Sequence, residues 1–279
     1  MSRSSFRSRG GFTLIELLIV MVILGVVGAA FVRALTSASK VSQAQAEKSS
    51  MQSNLRAGGG LLPAELREIT IDASSTDLIA ISKDSVRYRA MRRLGLVCAA
   101  TEDVNQITVR NTNSFGLSGF AVGDSVLLYV ENDDESTADD IWFVSAITAN
   151  PASGTCPDAK PGTVLTLQDN VPAGVMLDAP MRTFELMTLR VYQSDGRWWL
   201  GAHKNEDAIQ PVLGPLSDAD STFGFRDANG NVTATKSSVR VIEATLHGET
   251  ANAISKSGYD ARQLNQDSLK IRVRLRNAP

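Results

Sequence analysis

The chain has 279 residues, with 28 Lys and Arg against 30 Asp and Glu, two histidines and two cysteines, for a formal charge of −2. An apolar share of 43% and a charged share of 21% describe a chain that can bury a sizeable core. That balance excludes an intrinsically disordered chain, a disulfide-dense miniprotein and a globally basic nucleic-acid binder. Residues 1–11 form a short leader with Arg3, Arg7 and Arg9, no acidic residue, and Gly10-Gly11 at its end. Residues 12–32 then run through apolar side chains; as a helix they would span about 31 Å, enough to cross the hydrocarbon core of a bilayer with the basic leader inside. Glu16 breaks the run, and a charge centrally placed in a membrane helix costs roughly 2.5–3.5 kcal/mol. Two readings follow: an anchor whose Glu16 snorkels to the headgroups, or a charge kept for function. An ordinary secretory signal carries its small cleavage residues after the apolar core, whereas the processing sequence here, Gly10-Gly11, precedes it.

The leader and Gly11-Phe12-Thr13-Leu14-Ile15-Glu16 resemble the type III signal of the type IV pilin and pseudopilin superfamily. The resemblance implies cleavage after Gly11 by prepilin peptidase, N-methylation of Phe12 as the mature first residue, and pairing of Glu16 with the free amine of a neighbouring subunit during assembly. Such pairing is sound physically, because a buried carboxylate is tolerable beside an ammonium. The partners implied are prepilin peptidase, other pilin or pseudopilin subunits and the inner membrane. The expected course is a single-pass inner-membrane protein with its domain on the exported side, later drawn into a filament. Many major pilins carry a proline partway along this helix; residues 12–32 have none, so their kink is not implied. Loss of the leader leaves 25 basic against 30 acidic side chains, about −5.

Beyond Val32, Leu35, Ala38, Val41, Ala44, Met51 and Leu55 recur at helical spacing, predicting one helix over 12–57 whose second half lays an apolar stripe on the globular domain. Gly58-Gly59-Gly60 is expected to interrupt it. Residues 58–77 read as a linker holding a short helix with Pro63 in its first turn. From residue 78 the period changes, and 78–82, 85–91, 95–100, 106–110, 125–131, 141–148 and 163–167 read as strands of a largely antiparallel sheet. The fold class is α+β, a long N-terminal helix packed on a β-rich domain at 78–279. Arg87, Arg89, Arg92 and Arg93 read as the solvent face of a strand rather than a nucleic-acid patch. Cys98 and Cys156 would both lie on the exported side, where a disulfide is the natural expectation; two independent buried thiols are the other reading. With only His203 and His247 beside them and no metal-ligand spacing, no zinc site is expected. The run 131–140 is dense in carboxylates but lacks calcium-loop spacing, and reads as a solvated hairpin tip.

The clearest hairpin is 184–193, Ser194-Asp195-Gly196, 197–201, in which Trp198 and Trp199 point to opposite faces, one to the core and one to a partly exposed face that could meet another subunit. The tail, with Gly214-Pro215-Leu216, Phe223-Gly224-Phe225, an Asp/Asn-Gly turn at 227–231, a valine-rich strand from Val239 and a closing strand ending Leu275-Arg276-Asn277, is similar in order to large minor pilins of the PilW type and J-type minor pseudopilins. That resemblance and the bulk of the domain imply a minor, priming or tip-proximal subunit of a type IV pilus or type II secretion pseudopilus. The alternative is a membrane-tethered exported domain for adhesion or DNA capture. No nucleophile elbow, phosphate loop or metal cluster is recognisable, so no enzyme activity and no cofactor are expected.

Overall fold

A computed structural model describes residues 13–71, 76–112, 114–116, 119–131, 140–205, 207–217, 220–255 and 262–275. One helix, α1 (Leu14–Leu66), opens the chain. It does not stop at Gly58-Gly59-Gly60, and Pro63 lies near its end rather than in a first turn, with the Arg67 amide bonding the Pro63 carbonyl at 3.1 Å. The glycines are there for contact. A methyl group on Gly58 would collide with Leu213 Cδ1, and one on Gly248 would lie 3.1 Å from Leu55, so helix and sheet approach where neither has a side chain. Burial of Leu55, Leu62 and Leu66 holds this end of the helix on the sheet and outweighs the helix propensity that the glycines forfeit.

The strands follow in order: β1 (Leu78–Ile81), β2 (Ser85–Ala100), β3 (Gln106–Arg110), β4 (Phe115–Gly116), β5 (Ser125–Val130), β6 (Ile141–Ala146), β7 (Ala152–Thr155), β8 (Pro161–Thr166), β9 (Ala179–Ser194), β10 (Arg197–Lys204), β11 (Gln210–Leu216), β12 (Thr222–Arg226), β13 (Val241–Glu249), β14 (Ile254–Ser255), β15 (Arg262–Gln263) and β16 (Gln266–Arg274). All pairings are antiparallel among the described residues, and one sheet runs β12-β13-β11-β10-β9-β2-β3-β8-β7. Residues 85–91 and 95–100, expected as two strands, are one. The break in the apolar alternation is a bulge at Arg92, between the pairs Met91↔Phe184 and Arg93↔Thr183. Gly214-Pro215-Leu216 lies within β11. Arg276 and Asn277 of the closing segment lie outside the described residues, as do 132–139 of the acidic run.

Paired over most of their length, β2 and β9 serve two cores. Their first core, with Val86, Tyr88, Leu189 and Val191, takes in the end of α1 and β10 to β13 and β16. The second, with Val97 and Met181, is enclosed by a ring: β5 pairs β9, β6 pairs β5, the bridge Ile147↔Leu167 joins the ends of β6 and β8, and β8-β3-β2 returns to β9. Cys98 on β2 and Cys156 after β7 are bonded, with Cα atoms 5.5 Å apart, which clasps the β7-β8 turn onto the ring. Closing 58 residues of separation contributes about 4 kcal/mol by chain entropy.

The arginines of β2 are half-buried rather than solvated. Arg92 Nε bonds Glu185 at 2.8 Å and Nη1 meets Glu65 at 3.5 Å; Lys204 bonds Glu185 at 3.0 Å and Asp124 at 2.6 Å. This chain of charges links α1, β2, β9, β10 and the approach to β5. Burial raises the Glu185 carboxyl, but hydrogen bonds from Arg92 and Lys204 outweigh it and hold the group below the usual carboxylate range. Arg93 lies over Phe120 at 4.8 Å. At the β9-β10 turn, Asp195 (φ 51°) and Gly196 (φ 74°) take the left-handed conformation that their types favour. Trp198 packs on the first core and Trp199 lies over Gly214 on the other face, as their alternation requires.

A second compact unit comprises, among the described residues, 13–51 together with 250–255 and 262–265. Within it β14 pairs β15, Asn265 and Thr250 exchange hydrogen bonds at 2.9 and 3.0 Å, and Glu47 of α1 accepts the Asn252 amide and side-chain NH2 at 3.2 and 2.6 Å.

Candidate assembly segment at the N-terminus

The first residues of α1 are apolar around the whole circumference. Leu14 is 85% exposed, Ile15 68%, Val26 67% and Phe31 63%, so no side of this stretch is buried among the described residues. A helix that is apolar all round is stable only where lipid or other apolar helices surround it. Residues 14–32 span about 28 Å at 1.5 Å per residue, the thickness of a hydrocarbon core. At the far end Arg33 is the first charge, and the Thr36 hydroxyl folds back onto the Val32 and Arg33 carbonyls at 3.0 Å each.

Glu16 is the one charged side chain in 14–32, and the structure gives it a local role. Its backbone amide bonds Thr13 Oγ1 at 3.3 Å, while its carboxylate accepts the Thr13 amide at 3.4 Å and the Thr13 hydroxyl at 3.5 Å. This reciprocal exchange is a capping box, Thr13 at N-cap and Glu16 three residues on. Two amides without helical partners are satisfied, and the carboxylate sits at the positive end of the helix dipole. The signal was present in the sequence as Thr-x-x-Glu before an apolar run, and the composition-led reading of Glu16 as a lone charge passed over it. Gly11 and Phe12 lie outside the described residues.

No cluster of three metal-ligating side chains, around Glu16 or elsewhere, occurs among the described residues. The chemistry available is exchange of hydrogen-bond partners: the carboxylate can leave the Thr13 hydroxyl for a stronger donor such as an ammonium without losing its place at the helix end. Gly25 and Gly28 have open space where a Cβ would stand, so a neighbouring helix could approach the backbone there.

Compared with protein-family models, residues 6–32 match the prokaryotic N-terminal methylation motif. The N-terminal segment is thus of the type IV pilin and pseudopilin kind, and the motif points to a structural protein. No curated protein and no solved structure matches the chain.

Proposed function

We propose that the chain is a minor pilin or pseudopilin. Prepilin peptidase cuts after Gly11 and methylates Phe12, the apolar half of α1 holds the subunit in the inner membrane, and the helix is then drawn into a filament against the same segment of its neighbours. In that setting Glu16 meets the amine of an adjacent subunit. The observation that carries the reading is an exposed, all-round apolar helix opened by the Thr13–Glu16 cap and covered over 6–32 by the methylation motif. The size of the domain at 78–279, resembling the PilW type and J-type subunits, favours a priming or tip position over one repeated densely along a thin fibre. Peptide mass analysis of the chain from its own cells tests the reading: an N-methylated Phe12 at the mature terminus supports it, and an intact Met1 or a cut beyond Val32 refutes it.

A further inference from the structure

The strand β16 (Gln266–Arg274) forms an open edge of the sheet. On one side it pairs β13 over all 9 of its residues without a shift of register, and on the other no strand pairs it among the described residues. The Leu275 amide bonds the Arg240 carbonyl at 3.0 Å and the Thr250 amide bonds the Asn265 carbonyl at 2.9 Å, so the odd-numbered residues of this stretch turn their backbone groups toward β13. Gln266, Ser268, Lys270, Arg272 and Arg274 therefore turn theirs outward. Asp267 Oδ1 takes the Ser268 amide at 2.8 Å, whereas the amides of Lys270, Arg272 and Arg274 meet no protein acceptor among the described residues. The same alternation sets the Lys270, Arg272 and Arg274 side chains on the exposed face and Leu269, Ile271 and Val273 on the face of the first core. Long edges are commonly blunted by proline or a bulge, and β16 has neither.

We propose that the outer edge of β16 receives an extended segment of another polypeptide as an added antiparallel strand, with carboxylates on its exposed face and apolar side chains on its inner face. Main-chain bonds to the outward amides and carbonyls supply affinity, and the alternating side chains supply selection. Charge decides which partner fits. Arg272 already shares Glu243 with Arg226, while Lys270 and Arg274 meet no carboxylate among the described residues. Opposite charges directly across an antiparallel pair attract and like charges repel. A second copy of this chain is therefore a poor occupant: β16 paired antiparallel with itself sets Lys270 against Lys270, or Arg272 against Arg272 with Lys270 against Arg274. An acidic strand meets each of these cations with a carboxylate, and its inner side chains continue the apolar row of Leu269, Ile271 and Val273. None of these residues belongs to the apolar N-terminal segment, so the proposal does not rest on the filament reading.

The test uses the full chain in detergent and a fluorescent peptide, Glu-Val-Glu-Ile-Glu-Val-Glu, beside its all-lysine counterpart and the block isomer Glu-Glu-Glu-Glu-Val-Ile-Val. The expected result is saturable binding of the alternating acidic peptide by fluorescence anisotropy, with hydrogen exchange slowed at the Lys270, Arg272 and Arg274 amides and unchanged at Ile271 and Val273, which β13 already holds. Lys270→Glu replaces an attraction by a repulsion and weakens binding about tenfold. Lys270→Pro removes an outward amide without touching the β13 ladder and weakens binding in the same direction; it is read if Lys270→Glu fails to fold. Lys160→Glu, an equal change of charge on the β7-β8 turn, leaves binding unchanged. Absence of saturable binding, equal binding of the lysine or block peptide, or binding indifferent to Lys270 overturns the proposal. So does an edge whose Lys270, Arg272 and Arg274 amides are already protected in the free chain, or one that pairs with a second copy instead.

Discussion

Three adjacent glycines inside α1 allow a test in which identical substitutions take opposite signs. Glycine to alanine in a helix interior gains about 1 kcal/mol. At Gly60 nothing lies within 4 Å of the position a Cβ would take, so Gly60→Ala should realise that full gain. At Gly59 the nearest atom is Leu269 Cδ2 at 3.6 Å, an ordinary contact, and the gain should persist. At Gly58 the methyl meets Leu213 Cδ1, and Leu213, only 5% exposed, is packed within the first core. Overpacking costs about 1–3 kcal/mol, so Gly58→Ala should lose about 0–2 kcal/mol net. Urea unfolding of the detergent-solubilised chain, followed by tryptophan fluorescence from Trp198 and Trp199, reads the series directly. A Gly60→Ala that destabilises, or a Gly58→Ala as stable as Gly60→Ala, would mean that the helix does not run through the glycines onto the sheet.

Other substitutions test the remaining contacts. Replacing Cys98 and Cys156 by serine together should cost about 4 kcal/mol and abolish the mobility difference between reduced and unreduced protein on denaturing gels; retention of that difference refutes the bond. Glu185 is held below its ordinary value, so its contribution is complete above about pH 4.3 and is lost as pH falls through the lower folded value. Glu185→Gln should therefore be less stable than the parent at neutral pH and converge with it in acid, and a gap that is constant with pH defeats the reasoning. Thr13→Ala should remove only the cap, about 1 kcal/mol at the helix end, whereas Glu16→Ala removes cap and charge together. On the proposed function, recovery in sheared filaments should fall far more for Glu16→Ala, and equal recovery of the two variants would reduce Glu16 to a capping residue.

The elements legible in the sequence are those set by local pattern. Asp195-Gly196 specifies its tight turn because both backbone angles must be positive, and Trp198 and Trp199 separate onto two faces because a strand alternates. What could not be read is what depends on a partner far along the chain. Gly58 reads as a helix breaker until Leu213 is placed opposite it. The continuity of β2 is hidden because Arg92 steps out of the pleat to reach Glu65 and Glu185, residues remote in sequence. Arg87 to Arg93 look like a solvated basic face because no local signal tells that Phe184 and Phe120 lie beside Arg89 and Arg93. Closure of the ring around the second core runs through the bridge Ile147↔Leu167 and the Ser145–Asp169 hydrogen bonds beside it, which have no sequence signature of their own.

At the N-terminus the cap that Glu16 forms is compatible with the pairing proposed for it. A carboxylate carried into a bilayer without a partner is expensive, and an intrachain donor lowers that cost without neutralising the charge. The Thr13 hydroxyl and amide bond at 3.4–3.5 Å, long for hydrogen bonds to a carboxylate, so they hold the group without saturating it. An ammonium forms shorter and stronger bonds to the same oxygens, and exchange toward it is downhill once a neighbour brings one within reach. On the proposed function, the cap would keep the carboxylate oriented at the end of the helix while the subunit is in the membrane, and would yield to the partner that assembly supplies.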